Sequence, residues 1–344
     1  MSLSALRALG KAQYDLEQLG AASLTAERVR DELSRIGTVK VTTSLGVELD
    51  QMRVWSDWGR YSEVLEKLPS LLGRAEAHLG PASDTVHVGH GYWALALAAV
   101  GRYEEAVGVQ RRNLLNAAKR GTADQEESAW HRFVAALVLY ESGRFEDSLA
   151  HAQQSLALLT TSPHSVAKIC KTRALVALLL QATGNNRAVQ EARAAVAAYA
   201  ELPGHENYGS LAELLHWLAG IEHGSGNDAA GLQAAERASA IWDRRGSDAP
   251  AIHRARGAAM ATWLRALANP LDGRATAEWQ AASHAYAALR TSAHLSHAEL
   301  KLMDAELSRA SEKPREAEQS RSLGAKLWHE STGRSLPPRF VTLH

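Results

Sequence analysis

Cysteine, long apolar runs and a leader-like N-terminus are all lacking in this chain of 344 residues. The single cysteine, Cys170, cannot form an internal disulfide framework, which favours a reducing setting. The longest apolar run, Ala174 to Leu180, is far too short to cross a bilayer. The residues after Met1 lack the long apolar core of a secretory signal. We therefore expect a cytoplasmic protein with no membrane partner.

An excess of charge of either sign is absent as well. The 38 Lys and Arg residues balance 38 Asp and Glu residues, and the sequence pI is about 7.3. A protein that binds nucleic acid through its phosphates usually carries a clear basic excess. The composition therefore predicts no nucleic-acid partner. Abundant Ala, and Arg in preference to Lys, are typical of a GC-rich bacterial source.

What the chain does contain is a repeat. The stretch Gly101-Arg102-Tyr103-Glu104-Glu105-Ala106 has relatives that begin at Gly59, Gly143, Gly184 and Gly226, so the period is 41 or 42 residues. A second register has the same period. Ala94, Ala136, Ala177 and Ala219 lie seven residues before Gly101, Gly143, Gly184 and Gly226, and Ala261 continues the series one period later. Periods of this length are the signature of a solenoid built from stacked supersecondary units.

Each period predicts two helices, one before and one after the glycine, with Gly or Pro breaks between periods. Residues 4–20 and 24–36 form an N-terminal pair within a cap or worn repeat at 1–37, and Gly20 and Gly37 end its helices. Five clear repeats follow at 38–246, then two degenerate repeats with altered turns at 247–333, and a tail at 334–344. We predict an all-α superhelix of about seven helix pairs that forms one domain over 1–344.

The repeat resembles the tetratricopeptide repeat family, in particular its 42-residue variety found in kinesin light chains and in bacterial signalling proteins. The resemblance rests on Trp93-Ala94 and its equivalents in the first helix, on the Gly-x-Tyr/Phe turn, and on a small residue five positions after the glycine. It implies that the first helices line a concave surface that holds an extended or helical segment of another protein.

The same resemblance places the family's inward-facing positions on three consecutive first helices. In the third to fifth repeats these positions include eight residues that we predict to form the binding groove: Trp130, Phe133, Leu137, Tyr140, Lys171, Gln181, His216 and His223. Aromatic side chains on a concave face supply the rigid contact area that is typical of binding hot spots. The alternative is that the Trp and Phe side chains fill the inner core. The recurring Tyr61, Tyr103 and Phe145 are predicted to pack between helices.

Motifs for chemistry are weak. His87 with His90, and His294 with His297, are spaced three residues apart, but neither pair belongs to a complete zinc motif. Cys170 has no evident His or Asn partner in sequence, which favours a buried packing role. No glycine-rich phosphate loop follows a strand. We therefore predict no metal, no cofactor and no enzymatic activity.

Two functions remain open. The first is a binding module for a protein or peptide segment, which is either free-standing or the signalling scaffold or sensor portion of a larger bacterial regulator, in which case a further domain of the same polypeptide is a candidate partner. The alternative is a receptor for a small signalling peptide or small molecule that is enclosed by the superhelix, similar to bacterial quorum-sensing regulators. An enzyme would need a convergent set of titratable groups, and only Glu213, His216 and His223 are candidates.

Overall fold

The fold is a series of paired α-helices. A computed structural model describes residues 2–37, 40–120, 125–161, 166–204, 208–290 and 294–335, and within them it has sixteen α-helices. The helices are α1 (Leu3–Asp15), α2 (Leu19–Ile36), α3 (Val41–Asp57), α4 (Tyr61–Leu79), α5 (Asp84–Ala99), α6 (Tyr103–Arg120), α7 (Gln125–Glu141), α8 (Phe145–Leu159), α9 (Val166–Ala182), α10 (Ala188–Ala200), α11 (Gly209–Gly224), α12 (Asp228–Arg245), α13 (Ala251–Ala268), α14 (Gly273–Ala287), α15 (Ser296–Ala310) and α16 (Pro314–Thr332).

Consecutive helices pack as hairpins, and the hairpins stack. Each odd-numbered helix contacts the even-numbered helix that follows it, and it also contacts the odd-numbered helices on either side from α3 to α15. The recurring alanines of the first helices are buried in these contacts, from Ala94 at 0% to Ala261 at 4% exposure. A residue as small as alanine at this position lets two helix backbones approach closely. The prediction of an all-α superhelix of stacked pairs is confirmed.

The repeat glycines end the first helix of each pair. Gly59, Gly101, Gly143, Gly184 and Gly226 all have a positive φ, between 70° and 83°. At Gly101 the N–H donates to the carbonyl of Ala98, and the next N–H, of Arg102, donates to the carbonyl of Leu97. The same two hydrogen bonds recur at the other four glycines, so each turn is a left-handed helix cap of the Schellman type.

The first pair has the same turn without a glycine. Glu17 lies 42 residues before Gly59 and has a φ of 54°, and the flanking hydrogen bonds match those of the later turns. The prediction that α1 extends to Gly20 is therefore wrong. Gly20 lies inside α2, where an added Cβ would come within 3.0 Å of the Asp248 carboxylate. Gly20 permits a close approach between distant parts of the chain.

The last two pairs also have turns at the predicted places. α13 ends at Ala268 beside Asn269, and α15 ends at Ala310, where Glu312 has a φ of 58°. The predicted tail at 334–344 lies outside the described residues apart from Arg334 and Ser335.

The superhelix turns back on itself, so that residues about 190 positions apart come into contact. The N–H of Leu295 donates to Tyr103 Oη at 2.8 Å, across 192 residues. Arg290 donates to the carbonyl of Ala99 across 191 residues, and Ser210 donates to Glu17 across 193. We call α1–α8 the first winding and α9–α16 the second winding. The two windings pack against each other and leave a cavity between them.

Candidate functional site

A cavity of about 500 Å³ lies between the two windings. Its first wall is formed by the C-terminal ends of α1, α3, α5 and α7: Tyr14, Asp15, Ser56, Asp57, Leu95, Ala98, Ala99, Leu137, Tyr140 and Glu141. Its second wall is formed by the N-terminal halves of α9, α11 and α13: Lys171, Gly209, Ser210, Glu213, Trp217, Ile252, His253 and Arg256. Turn and end residues complete the lining: Glu17, Leu19, Tyr61, Trp242, Arg245, Pro250 and Arg290. The size falls in the ordinary range of ligand sites, about 300–1,000 Å³.

The repeat explains why these residues meet. Tyr14, Ser56, Ala98 and Tyr140 each lie three residues before the turn residue of their pair, and all four line the cavity. The positions one residue later, Asp15, Asp57, Ala99 and Glu141, line it as well. Equivalent positions in successive repeats fall on one side of the stack, so the first wall is built mainly from the same two positions of successive repeats.

Asp57 is the carboxylate with the most distinctive surroundings. Tyr14 Oη donates to Asp57 Oδ2 at 2.5 Å. Burial raises the pKa of Asp57 to about 6, against the hydrogen bond from Tyr14 and the positive charges of Lys171 and Arg53, which lower it. The negative charge of Glu213, on the second wall, raises the pKa of Asp57 further. A carboxylate that titrates near neutral pH inside a cavity is a frequent property of functional sites.

Glu17 joins the two windings at one end of the cavity. Its carboxylate accepts hydrogen bonds from the backbone N–H of Ser210, at 3.1 Å, and from the Ser210 hydroxyl. Its carbonyl accepts a hydrogen bond from Arg245, and Lys171 lies 4.0 Å from its carboxylate. α11 begins at Gly209 with no cap from its own N-cap side chain. Glu17 therefore caps α11 from the other winding, and an anion is the favourable group at that helix end.

The second wall carries arginine side chains. Arg256 lies 3.5 Å from Glu213 and 3.3 Å from His253 Nδ1. Burial, together with the positive charges of Arg256 and Arg290, holds the pKa of His253 well below its usual value. The neutral His253 ring is stacked on Trp242, with 5.2 Å between the ring centroids. The second wall thus presents cations and aromatic rings to the carboxylates of the first.

Three of the eight predicted groove residues line this cavity: Leu137, Tyr140 and Lys171. Tyr140 is almost fully buried, at 3% exposure, and its ring contacts Phe145. Lys171 is the more accessible of the three and lies near Glu17. For these three residues the prediction of a binding role stands as a prediction.

The other five predicted residues have packing neighbours and lie outside the cavity lining. Trp130 fills the space beside Gly91, where an added Cβ would come within 2.5 Å of its ring, and Phe133 packs against the edge of the main core. His216 and Gln181 are buried at 1% exposure. His223 contacts Asp228 at 2.7 Å and Glu306 at 3.1 Å, and its ring meets Trp263 edge-on. Trp130 and Phe133 lie in the N-terminal half of α7, and Gln181 and His223 at the C-terminal ends of α9 and α11, which are the ends turned away from the cavity.

Sequence reasoning missed Tyr14, Asp57, Arg256 and Arg290. The signal available for Asp57 and Glu141 was their shared position two residues before the turn glycine, where both carry a carboxylate. Nothing comparable marks Tyr14, because its turn has Glu17 in place of glycine. Arg256 and Arg290 are brought to the cavity only by the contact between windings.

The remaining motifs have structural partners. His87 Nδ1 is hydrogen-bonded to Asn113 at 2.6 Å, and His294 Nε2 lies 3.6 Å from Glu141. Cys170 is buried, as predicted, and burial raises the pKa of its thiol. Within the described ranges, no three His, Cys, Asp or Glu side chains are close enough together to hold a metal ion. None of the described helices has the length and apolar character needed to cross a membrane.

Solved structures share this fold. The chain is similar to a Rap protein complexed with competence and sporulation factor, at 11% identity and a TM-score of 0.63, over 96% of this chain and 94% of that one. It is similar to the apo form of the quorum sensor NprR from B. thuringiensis, at 11% identity and a TM-score of 0.51, over 92% and 99% of the two chains. It is also similar to aspartyl phosphate phosphatase F from Bacillus subtilis, at 12% identity and a TM-score of 0.51, over 99% and 98%.

No protein-family model matches the chain, and no curated protein matches it. At such low identities the structural likeness shows a common fold of tetratricopeptide-like helical repeats, arranged as in these solved structures, and it transfers no residue roles.

Proposed function

We propose that the protein is a receptor that binds a short peptide in the cavity between its two windings. The observation that carries the proposal is the cavity between the windings, which is lined by charged and aromatic side chains from eight different helices. A deep site with aromatic walls and a few polar groups is typical of sites for small ligands. A site lined by both windings suits a short ligand better than a long protein segment that follows one concave face, so this lining favours the receptor over the scaffold.

The fold neighbours support this choice by analogy. One of them is complexed with competence and sporulation factor, and another is called a quorum sensor.

We infer that this chain belongs to the 42-residue repeat class, acts in the cytoplasm as one domain, and binds its ligand without reacting with it. One neighbour is named a phosphatase, but in this cavity the Glu17 carboxylate is engaged by Ser210 and the Glu213 carboxylate by Arg256. Carboxylates and cations both line the site, which suits a zwitterionic peptide better than nucleic acid.

Equilibrium binding to a pool of short synthetic peptides tests the proposal. The protein is mixed with the pool and separated by gel filtration, and the retained peptides are identified by mass spectrometry. We expect Lys171→Ala and Leu137→Ala to weaken binding of the retained peptides by about 2 kcal/mol, the usual threshold for an anchor residue. Lys168→Ala is the matched control, because Lys168 lies on the same helix but pairs with Glu126 outside the cavity. Absence of any retained peptide contradicts the proposal.

A further inference from the structure

The first wall of the cavity places its carboxylates at the unfavourable ends of helices. Asp15, Asp57 and Glu141 are the last residues of α1, α3 and α7, and none of these three helices has a basic residue in its last turn. The C-terminal end of a helix carries partial negative charge, so a cation is the stabilising group there. Three carboxylates in the same register against three helix ends give this wall a negative potential that the helices themselves do not compensate.

The other carboxylates each have a partner close by. Asp15 pairs with Lys11 at 2.7 Å, and Glu141 lies 3.6 Å from His294, which is a cation only when its ring is protonated. Glu17, at the end of the cavity where the windings join, has Ser210 and Lys171 as neighbours. The partners lie either on the same helix or across the gap between windings.

Asp57 differs from them. Among the described residues its carboxylate accepts a hydrogen bond from Tyr14, and none of their Lys, Arg or His nitrogens lies within ion-pair distance of it. The nearest charges act from farther away: Lys171 is in contact with Glu17, and the Arg53 guanidinium lies over the Tyr14 ring, 4.3 Å from its centroid. A carboxylate that is withdrawn from water without a cationic partner is costly for the fold.

The contacts of Tyr14 also hold this carboxylate in one orientation. The phenol is fixed on one side by the guanidinium of Arg53 and on the other by its hydrogen bond to Asp57 Oδ2, so the second oxygen, Oδ1, is left for another donor. Aromatic side chains, including Trp217 and Trp242, line the same cavity. Carboxylate oxygens and aromatic faces together are the surroundings that proteins use for organic cations.

We propose that the ligand enters this cavity with a cationic group, an ammonium or a guanidinium, that pairs with the carboxylate of Asp57. The inference rests on the proposed function, since it assigns one contact of the peptide that the cavity binds. The cation is either the amino terminus of the peptide or a Lys or Arg side chain within it. Either source supplies the partner that Asp57 lacks.

Three pools of short synthetic peptides distinguish these sources. The first pool has free amino termini and includes Lys and Arg, the second is N-acetylated and includes them, and the third is N-acetylated and omits them. Each pool is equilibrated with the wild-type protein and with Asp57→Asn, in which the amide oxygen still accepts the hydrogen bond of Tyr14. Asp147→Asn is the control for the change of charge, because Asp147 is exposed and pairs with Arg144 on the outer surface.

The wild type is expected to retain peptides from the first pool and none from the third. If peptides are also retained from the second pool, the cation is a basic side chain. If no peptide is retained from the second pool, the cation is the amino terminus. Asp57→Asn should bind the retained peptides about tenfold more weakly, which is less than for a fully buried charge pair because Asp57 is half-buried, and Asp147→Asn should match the wild type. Equal retention from the first and third pools, or equal affinity of Asp57→Asn, overturns the inference and leaves the peptide receptor standing. Retention from no pool overturns the receptor and this inference together.

Discussion

At the scale of single residues, the Asp57 carboxylate lowers the stability of the folded protein but is the proposed partner of the ligand's cation. In the unfolded chain its carboxyl has an ordinary pKa near 4, whereas burial in the cavity raises the pKa to about 6. The native state therefore holds the proton to a higher pH than the unfolded state. Stability that is present at low pH is lost as the pH rises through this interval and stays lower above it.

Replacing this carboxylate should stabilise the protein at alkaline pH. Asp57→Asn removes the buried charge and keeps the hydrogen bond from Tyr14, so we expect a gain of roughly 2–3 kcal/mol in the free energy of unfolding at pH 8. The gain should shrink toward zero near pH 4, where Asp57 itself is protonated. Urea unfolding at pH 4, 6 and 8 measures the effect. An equal or lower stability of Asp57→Asn at pH 8 contradicts it.

His223 should likewise make the protein less stable as the pH rises, because its pKa is also raised in the folded state. Burial alone would lower its pKa, but hydrogen bonds and the negative charges of Glu306 and Asp228 raise it overall. The stabilisation by the charged ring is therefore complete below about pH 6.5 and is lost as the pH rises through the raised value. His223→Gln should cost about 1 kcal/mol more at pH 5.5 than at pH 8. The packing of the ring on Trp263 is lost at both pH values, so the difference between the two measurements isolates the charge.

At the scale of the helix pair, the turn glycines are the elements on which the repeat depends. Gly101 has a φ of 83°, a conformation that is unfavourable for a residue with a Cβ. Gly108 has ordinary helical geometry within α6, is exposed, and has open space where a Cβ would be added. A Gly→Ala substitution therefore meets a left-handed backbone at Gly101 and an ordinary helical backbone at Gly108.

The two glycines should respond to alanine with opposite signs. Gly101→Ala is expected to lower the free energy of unfolding by about 1–2 kcal/mol, because the turn must strain or reform. Gly108→Ala should raise it by about 0.5–1 kcal/mol through helix propensity. Thermal and urea unfolding of both variants measure the pair. Destabilisation of similar size at both sites would show that loss of glycine itself, and not the left-handed turn, is responsible.

The helix pairs could be predicted from sequence because their contacts are local and repeat. Gly59, Gly101 and Gly143 mark the turns, and the recurring alanines mark the close helix contacts. The turn at Glu17 was missed because a non-glycine residue in the left-handed conformation leaves no signature in composition. A glutamate is suited to this turn because it contacts Ser210 and Arg245, which lie about 200 residues away in sequence.

The cavity residues were harder to predict for a related reason. The repeat correctly indicates which helices face inward, but the ends of those helices that meet depend on how one winding stacks on the other. Tyr140 lines the cavity because it lies at the C-terminal end of α7. Trp130 lies at the opposite end of the same helix and outside the cavity lining, and its binding role stays a prediction. Only the contact between windings decides between the two ends.

At the scale of the whole molecule, the two windings are joined by hydrogen bonds that span most of the chain. Tyr103 meets Leu295, Ala99 meets Arg290 and Glu17 meets Ser210. An open solenoid has contacts between neighbouring repeats only, and its stability is close to a sum over neighbours. The contacts between windings add long-range terms to that sum, so distant repeats should unfold together.

A double-mutant cycle measures this long-range coupling. Glu17→Ala, Ser210→Ala and the double variant should give an interaction free energy of about 1–2 kcal/mol, as expected for a partly buried hydrogen bond to a carboxylate. The exposed pair Arg102 and Glu105 is the control, and its cycle should give less than about 0.5 kcal/mol. Additive effects of the Glu17 and Ser210 variants would mean that the windings are not coupled through this contact.

The distance of about 190 residues between contacting positions also sets the order of events during synthesis. A chain emerges from its N-terminus, and each helix pair has its partners nearby, so the first pairs can fold as they appear. Glu17 must wait for 193 more residues before Ser210 exists. During that interval the nascent chain is an open stack that lacks the second wall of the cavity. The ligand site therefore forms late, and no ribosome-bound chain that ends before Arg290 has its complete lining.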